Sequence, residues 1–283
     1  MRLPFRKLVL GGGGAKGILH VGALLELAKH QPLDFQKGVY GSSIGSVVAT
    51  YVAFGLPIEK APSLIQKYLS FQSILPTFDF MSVTNAFSSK GVGTMDQFEK
   101  QILGLFDEAG VDLRTKIIGE TSMPLYIVAS NLTDGTPTLF SGKVPILDAL
   151  KASCCIPGAF RPYELYGKAY IDGDILLPSI SSILPTIDAD TLILVLPKRR
   201  RYTLTPRQIE TMSPIDYITE IHTLRVRVGH TLSKNDQTIM LRYSKLESSS
   251  DLADFDSEDV LRSAGGQLLG FLGSKIGNEE GSQ

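Results

Sequence analysis

The chain has 283 residues, 43% hydrophobic and 20% charged, and its 28 Lys and Arg nearly balance 29 Asp and Glu. That length suits one large domain or two small ones, and the composition is that of an ordinary globular protein, with no basic excess to argue for a nucleic-acid partner. No apolar run reaches the roughly 18–20 residues that span a bilayer. The opening "MRLPFRKLVL" lacks the apolar stretch and cleavage site of a secretory signal. The two cysteines, Cys154 and Cys155, are adjacent. They read as small buried thiols in a reducing compartment. A cytoplasmic location is expected, peripheral to membranes at most.

Residues 8–10 read as a buried strand that enters "GGGGAKG". Ile18, Val21, Leu24, Leu25 and Ala28 recur at helical spacing and predict a helix over 17–29. A second strand over 36–40 runs into "GSSIG". Residues 46–54 are apolar all round, the mark of a buried helix, and Gly55 and Pro57 supply its stop. Residues 71–93, including Phe71, Phe78, Phe80, Met81 and Phe87, lack a period and read as a surface loop or lid. Thr94-Met95-Asp96-Gln97 has capping-box form ahead of an apolar stripe at Met95, Phe98, Ile102 and Leu105.

Residues 125–129 form a predicted strand, 133–135 a turn, and Pro145 opens a helix that reaches 154. Two short strands are expected around Gly167, and a strongly apolar one over 191–196. Helices are expected over 205–232 and 256–276, with a strand at 238–243 between them. Strands alternating with helices indicate an α/β fold with a mainly parallel sheet. A single domain over 1–276 is expected, with its motifs within about 7–196 and a loose tail at 277–283.

Three glycine-bearing segments carry the chemistry. In the first, Gly12, Gly14 and Gly17 satisfy G-x-G-x-x-G. Such a loop brings bare backbone N–H groups to an anion, either a cofactor phosphate or a reacting carbonyl oxygen. In the second, Gly41-Ser42-Ser43-Ile44-Gly45 matches the G-x-S-x-G elbow. There a strand turns sharply into a helix, and Gly41 and Gly45 let the backbones pass. Ser43 is then the nucleophile by position, rather than Ser42 or Ser46. The third, Asp172-Gly173-Asp174, follows the strand "KAYI" and taken alone reads as a turn.

A serine nucleophile needs a base. His20 and His30 precede Ser43, and His20 reads as a packed helix residue. His222 and His230 stand in chain order for a histidine triad. A partly desolvated carboxylate also serves, and Asp172 is the candidate.

Taken in order, "GGGAKG", "GSSIG" and "DGD" resemble the patatin-like phospholipase family. "GILHVGALLEL" resembles the helix after that family's oxyanion loop. "ALKASCCIPGAFRPYELYGKAYIDGDILLP" resembles its run into the aspartate. The resemblance implies a three-layer patatin-like α/β fold, with a mainly parallel central sheet flanked by helices. It implies Ser43 as nucleophile and Asp172 as proton acceptor, with Gly173 completing the Asp-Gly motif. Gly12, Gly13, Gly14 and Gly17 would form the oxyanion loop. No metal or organic cofactor is implied. The implied substrates are lipid carboxylic esters: phospholipids in a phospholipase A-type cleavage, then neutral glycerolipids or lysophospholipids, or acyl transfer to an alcohol. Two departures stand out. Asp174 occupies a position where the family has a small residue, and it is expected to turn away into solvent. The asparagine the family often carries after this segment is missing from "ILLPSI".

Two other readings compete. A dinucleotide fingerprint would use Asp34, 17 residues beyond Gly17, but Asp34 precedes the second strand instead of ending it. A non-catalytic lipid-binding module is the other. Lys198-Arg199-Arg200-Arg201 could draw the chain transiently to anionic lipid, or be a solvated loop.

Overall fold

The computed structural model of the chain describes residues 4–69, 74–76, 90–177, 179–196, 206–211, 237–243 and 257–280. Its centre is an eight-stranded sheet. Strands β1 (Lys7–Leu10), β2 (Val39–Ser42), β4 (Leu125–Asn131), β9 (Thr191–Val195) and β10 (Thr238–Met240) run parallel, in the order β10-β9-β1-β2-β4. Strands β5 (Thr136–Phe140) and β8 (Lys168–Ile171) pair antiparallel with β4, and β7 (Tyr163–Leu165) pairs antiparallel with β8. A small separate pair joins β3 (Gly91–Gly93) to β6 (Gly158–Phe160).

Side chains alternate across the sheet. Leu8, Leu10, Val39, Ile127, Leu192 and Leu194 belong to the larger apolar cluster. Val9, Tyr40, Val128 and Ile193 belong to a smaller one. The larger cluster also takes the apolar residues of α1 (Ile18–Ala28), α2 (Ile44–Ala53), α3 (Ala61–Tyr68), α4 (Asp96–Glu108), α5 (Ile146–Ser153) and α7 (Ser257–Glu280). On the smaller one, Leu177 and Ile180 pack beside the stacked rings of Tyr40 and Tyr126, whose centroids are 4.4 Å apart. Burial on both faces explains why the central strands read as unbroken apolar runs. The architecture is α/β with a central sheet flanked by helices. All ten residues of α2 are buried, as its lack of a polar face predicts.

Several boundaries differ from expectation. The first helix is preceded by a 3₁₀ turn at Gly14–Gly17, because the glycine loop tightens before α1 begins. Strand β2 starts only at Val39, since Gly38 takes φ 108° and breaks the extension from 36–37. It continues through Ser42, so the elbow's first glycine is a strand residue. The expected capping box at 94–97 does not form. Thr94 Oγ1 donates to Asp96 Oδ2 at 2.6 Å, and α4 begins after Met95 without a side-chain cap. The long helix expected over 205–232 is described only as α6 (Pro206–Thr211). Helix α7 runs to Glu280, four residues into the expected tail. Most of the expected lid, with Phe71, Phe78, Phe80, Met81 and Phe87, lies outside the described residues, as do Pro178 and the basic run at 198–201. Among the described residues, no helix is long and apolar enough to cross a membrane.

Candidate active site

The site gathers where β1 and β2, adjacent and parallel, end. Leu10 is in register with Gly41, so the loop after β1 and the elbow after β2 emerge side by side. Openings of this kind, at the carboxyl ends of parallel strands, are where α/β sheets place their ligands. The register of β4 brings in the third segment. Ser42 pairs with Val128, and Ser130 pairs with Ile171, so the residue after β8 lands beside the elbow.

Ser43 sits between β2 and α2 at φ 52° and ψ −133°. A non-glycine residue in this region costs about 1–3 kcal/mol, which the surrounding structure must offset. The close packing of the elbow supplies that constraint. A Cβ on Gly45 would stand 2.7 Å from the Gly11 carbonyl oxygen and collide with that of Leu10; one on Gly41 would collide with Ser46 Cα. The Ser43 N–H donates to Ser153 Oγ at 2.9 Å, and Ser153 Oγ donates to the Val128 carbonyl at 2.6 Å. Ser153 thus ties the elbow to β4 through the end of α5.

Ser43 Oγ donates to Asp172 Oδ2 at 2.6 Å. Asp172 is 7% exposed, and its other oxygen accepts the Asp174 N–H at 3.0 Å. The Asp-Gly turn is pinned by its backbone: the Asp172 N–H donates to Cys155 O, and the Gly173 N–H donates to Ser153 O. Burial pushes the Cys155 thiol up to about 12, and Cys154, beside Asp172, well above the ordinary thiol range. Both cysteines are free and buried.

Gly12 lies against Ser43, while Gly13 packs on Leu196 and Gly14 faces open space. A Cβ on Gly12 would stand 2.5 Å from Asp174 Oδ2 and 2.7 Å from Ser43 Cβ. Among the described residues, no acceptor takes the amides of these three glycines, whereas the Gly11 N–H is taken by Leu194 O. Gly17 ends the 3₁₀ turn against Ile44.

One residue behaves differently from expectation. Asp174 does not turn into solvent. Its Oδ1 accepts Ser42 Oγ at 2.6 Å, which makes a second serine–aspartate pair beside the first. Ser42 is fully buried and so cannot meet a substrate. His20 is also fully buried, with Nε2 2.7 Å from the Gly11 carbonyl oxygen. Its role behind the loop has no signal in the motif spacing. Ser153 was likewise invisible in sequence, since a lone serine at a helix end carries no pattern. His222 and His230 lie outside the described residues.

Burial lowers the pKa of His20 to about 4, against the raising effects of the Gly11 hydrogen bond and the Asp174 charge. The unfolded chain therefore binds this proton more readily. Its contribution to stability is full above about pH 6.5 and is lost as pH falls toward 4. A loss on the order of 3 kcal/mol is expected across that window. Denaturant unfolding at a series of pH values checks it, and His20→Gln should flatten that part of the curve.

Asp34, required by the dinucleotide reading, precedes β2 and accepts Gln36 Nε2 at 3.0 Å. It sits at the amino end of a strand whose carboxyl end faces the glycine loop, so it cannot reach a ribose bound there. Among the described residues, no cluster of His, Cys, Asp or Glu is arranged to hold a metal ion.

Fold and site together define a class: an α/β protein with a glycine loop and a G-x-S-x-G elbow at neighbouring strand ends. The family follows from comparison. The family model described as patatin-like phospholipase matches residues 8–179. The chain belongs to that family. It is 29% identical over 192 residues to an uncharacterized NTE family protein of Mycobacterium tuberculosis, covering 68% of this chain and 49% of the relative. The protein YqhO of Bacillus subtilis is 27% identical over 188 residues, covering 59% of this chain and 62% of its own. The chain thus spans about half the length of the mycobacterial relative. Among solved structures, VipD from Legionella pneumophila aligns with a TM-score of 0.51 at 15% identity, over 96% of this chain and 67% of that one. ExoU of Pseudomonas aeruginosa, in its complex with SpcU, aligns at 0.52 and 17%, over 96% of this chain and 52% of its own. These likenesses concern the fold.

Proposed function

We propose that the chain is a lipid acyl hydrolase of phospholipase A type, working through a Ser43–Asp172 dyad. The observation that carries this reading is the 2.6 Å bond from Ser43 Oγ to a buried carboxylate, beside three backbone amides with no described acceptor. Ser43 Oγ attacks the ester carbonyl as Asp172 Oδ2 takes its proton. The amides of Gly12, Gly13 and Gly14 hold the tetrahedral oxyanion, and each such donor is typically worth about 10²–10³ in rate. Asp172 then protonates the leaving alcohol. Water then attacks the acyl carbonyl as Asp172 takes its proton, and collapse releases the fatty acid while Asp172 returns that proton to Ser43 Oγ. The Asp174 N–H keeps Asp172 Oδ1 engaged throughout, leaving Oδ2 for the serine.

The test is hydrolysis of mixed phospholipid and neutral-glyceride liposomes, with products identified by mass. Release of free fatty acid from phospholipid is expected. Cleavage of the neutral glyceride alone would move the substrate class. No cleavage, together with no fluorophosphonate labelling, would leave the non-catalytic lipid-binding reading.

Asp174 sets the level of this activity. Its carboxylate lies against Gly12, where negative charge opposes a forming oxyanion. Asp174→Ala removes that charge and keeps the backbone N–H on Asp172. It also leaves the buried Ser42 hydroxyl without its acceptor, at a cost of about 1–3 kcal/mol. The variant is expected to melt lower yet turn over several-fold faster. A slower enzyme with native melting would count against the electrostatic account.

A further inference from the structure

His20 lies one layer behind the glycine loop, on the first turn of α1. It is fully buried, and its Nδ1 has no partner among the described residues. Its Nε2 is 2.7 Å from the Gly11 carbonyl oxygen. A carbonyl only accepts, so Nε2 carries the proton and Nδ1 is bare. Burial keeps the ring neutral at neutral pH despite the nearby Asp174 carboxylate. An unpartnered buried ring nitrogen is unfavourable, so the position is held against a cost by something the ring does. The bond it makes is to one particular peptide.

That peptide is Gly11–Gly12. In a planar trans peptide the C=O and the following N–H point in opposite directions. A donor that holds the Gly11 oxygen toward α1 therefore turns the Gly12 N–H away from α1. Gly12 itself lies against the site, since a Cβ there would stand 2.7 Å from Ser43 Cβ and 2.5 Å from Asp174 Oδ2. Besides His20, this plane meets Gly45, where a Cβ would stand 2.7 Å from the Gly11 carbonyl oxygen. The Gly11 N–H is fixed on Leu194 O, while Gly12 and Gly13 have no side chains to anchor them.

We propose that His20 is a positioning residue for the glycine loop: its Nε2–H fixes the Gly11 carbonyl and, through the shared peptide plane, aims the Gly12 N–H at the ester oxygen. The bond also polarises the peptide and strengthens Gly12 as a donor. The proposal rests on the oxyanion reading of the loop given above. His20 touches neither substrate nor Ser43 Oγ, so it acts on the transition state and not on ground-state binding.

His20→Leu removes the donor with little change of volume, and His20→Gln restores an N–H donor on a side chain of similar reach. With His20→Leu, kcat is expected to fall about tenfold or more with KM within twofold, as for a weakened oxyanion donor. His20→Gln is expected to recover most of kcat. The rate of fluorophosphonate labelling at Ser43 should fall and recover in parallel, since that adduct also places an oxygen in the loop. Wild-type kcat in a folded His20→Leu protein overturns the proposal. So does a loss expressed equally in KM. An independent readout needs no variant: side-chain ¹⁵N NMR of the wild type at pH 7 should show Nε2 protonated and Nδ1 bare, and the reverse tautomer overturns the proposal. If wild type itself is never labelled at Ser43, the functional reading fails, whatever the tautomer.

Discussion

Ser43→Ala is expected to lose lipid turnover by about 10⁴-fold or more, with all covalent labelling by a fluorophosphonate, while remaining folded. Alanine keeps the strained backbone of the elbow and deletes only the hydroxyl that meets Asp172 at 2.6 Å. Asp172→Asn should cost nearly as much. An amide cannot take the serine proton, and its nitrogen would face a hydroxyl that needs an acceptor. The two residues act as a unit, so the double variant should be no worse than either single one. Replacing His222 and His230 together is the control and should leave substantial activity. Full labelling of the Ser43→Ala protein would sink the nucleophile assignment, and complete loss in a folded histidine double variant would move the base to one of them. Ser43→Gly offers a further check, since glycine accepts φ 52° without strain. It should be dead as well, and more stable than Ser43→Ala by about 1 kcal/mol.

Gly12→Ala is expected to lower kcat by about 10²–10³-fold, the usual consequence of disabling one oxyanion donor. The new methyl group would stand 2.5 Å from Asp174 Oδ2 and 2.7 Å from Ser43 Cβ. Neither neighbour gives way easily. Ser43 is held by the elbow, and Asp174 is held by Ser42 Oγ. The loop must therefore move, and with it the amide that faces the ester. Combining Gly12→Ala with Asp174→Gly relieves the contact on one side and should restore part of the activity. Steady-state kinetics on a soluble ester measures both. An undiminished kcat for Gly12→Ala would mean that the loop sits farther from the reacting oxygen than the dyad geometry requires.

The motifs that were legible in the sequence are those whose chemistry depends on local spacing. A glycine loop, an elbow and an Asp-Gly turn each need particular residues a few positions apart, and the chain order of the three pointed to one site. Central strands such as β1 and β9 were legible because burial on both faces leaves only apolar residues. What escaped were contacts made across long stretches of chain. Ser153 reaches the Ser43 amide across 110 residues, and nothing near it in sequence announces that bond. Asp174 was expected in solvent because a turn carboxylate usually finds water. Its direction is decided by Ser42, 132 residues away, a buried residue at the end of β2. Thr94 failed as a cap for a more local reason, since Asp96 competes for its hydroxyl.

The position of β1 has a consequence for how the protein comes into being. This strand comes before every other strand of the sheet in the chain, yet it lies in the middle of the sheet, between β2 and β9. Its pairing with β9 joins Lys7 to Thr191. A chain emerging from the ribosome must hold an apolar strand with one open edge until β9 has been synthesised. Contacts of such long sequence separation form slowly and leave aggregation-prone edges exposed meanwhile. Ser43 is translated long before Asp172, so a partial chain carries the elbow without the carboxylate that its hydroxyl meets. The pairing of β1 with β9 and the meeting of Ser43 with Asp172 thus both wait for the later part of the chain.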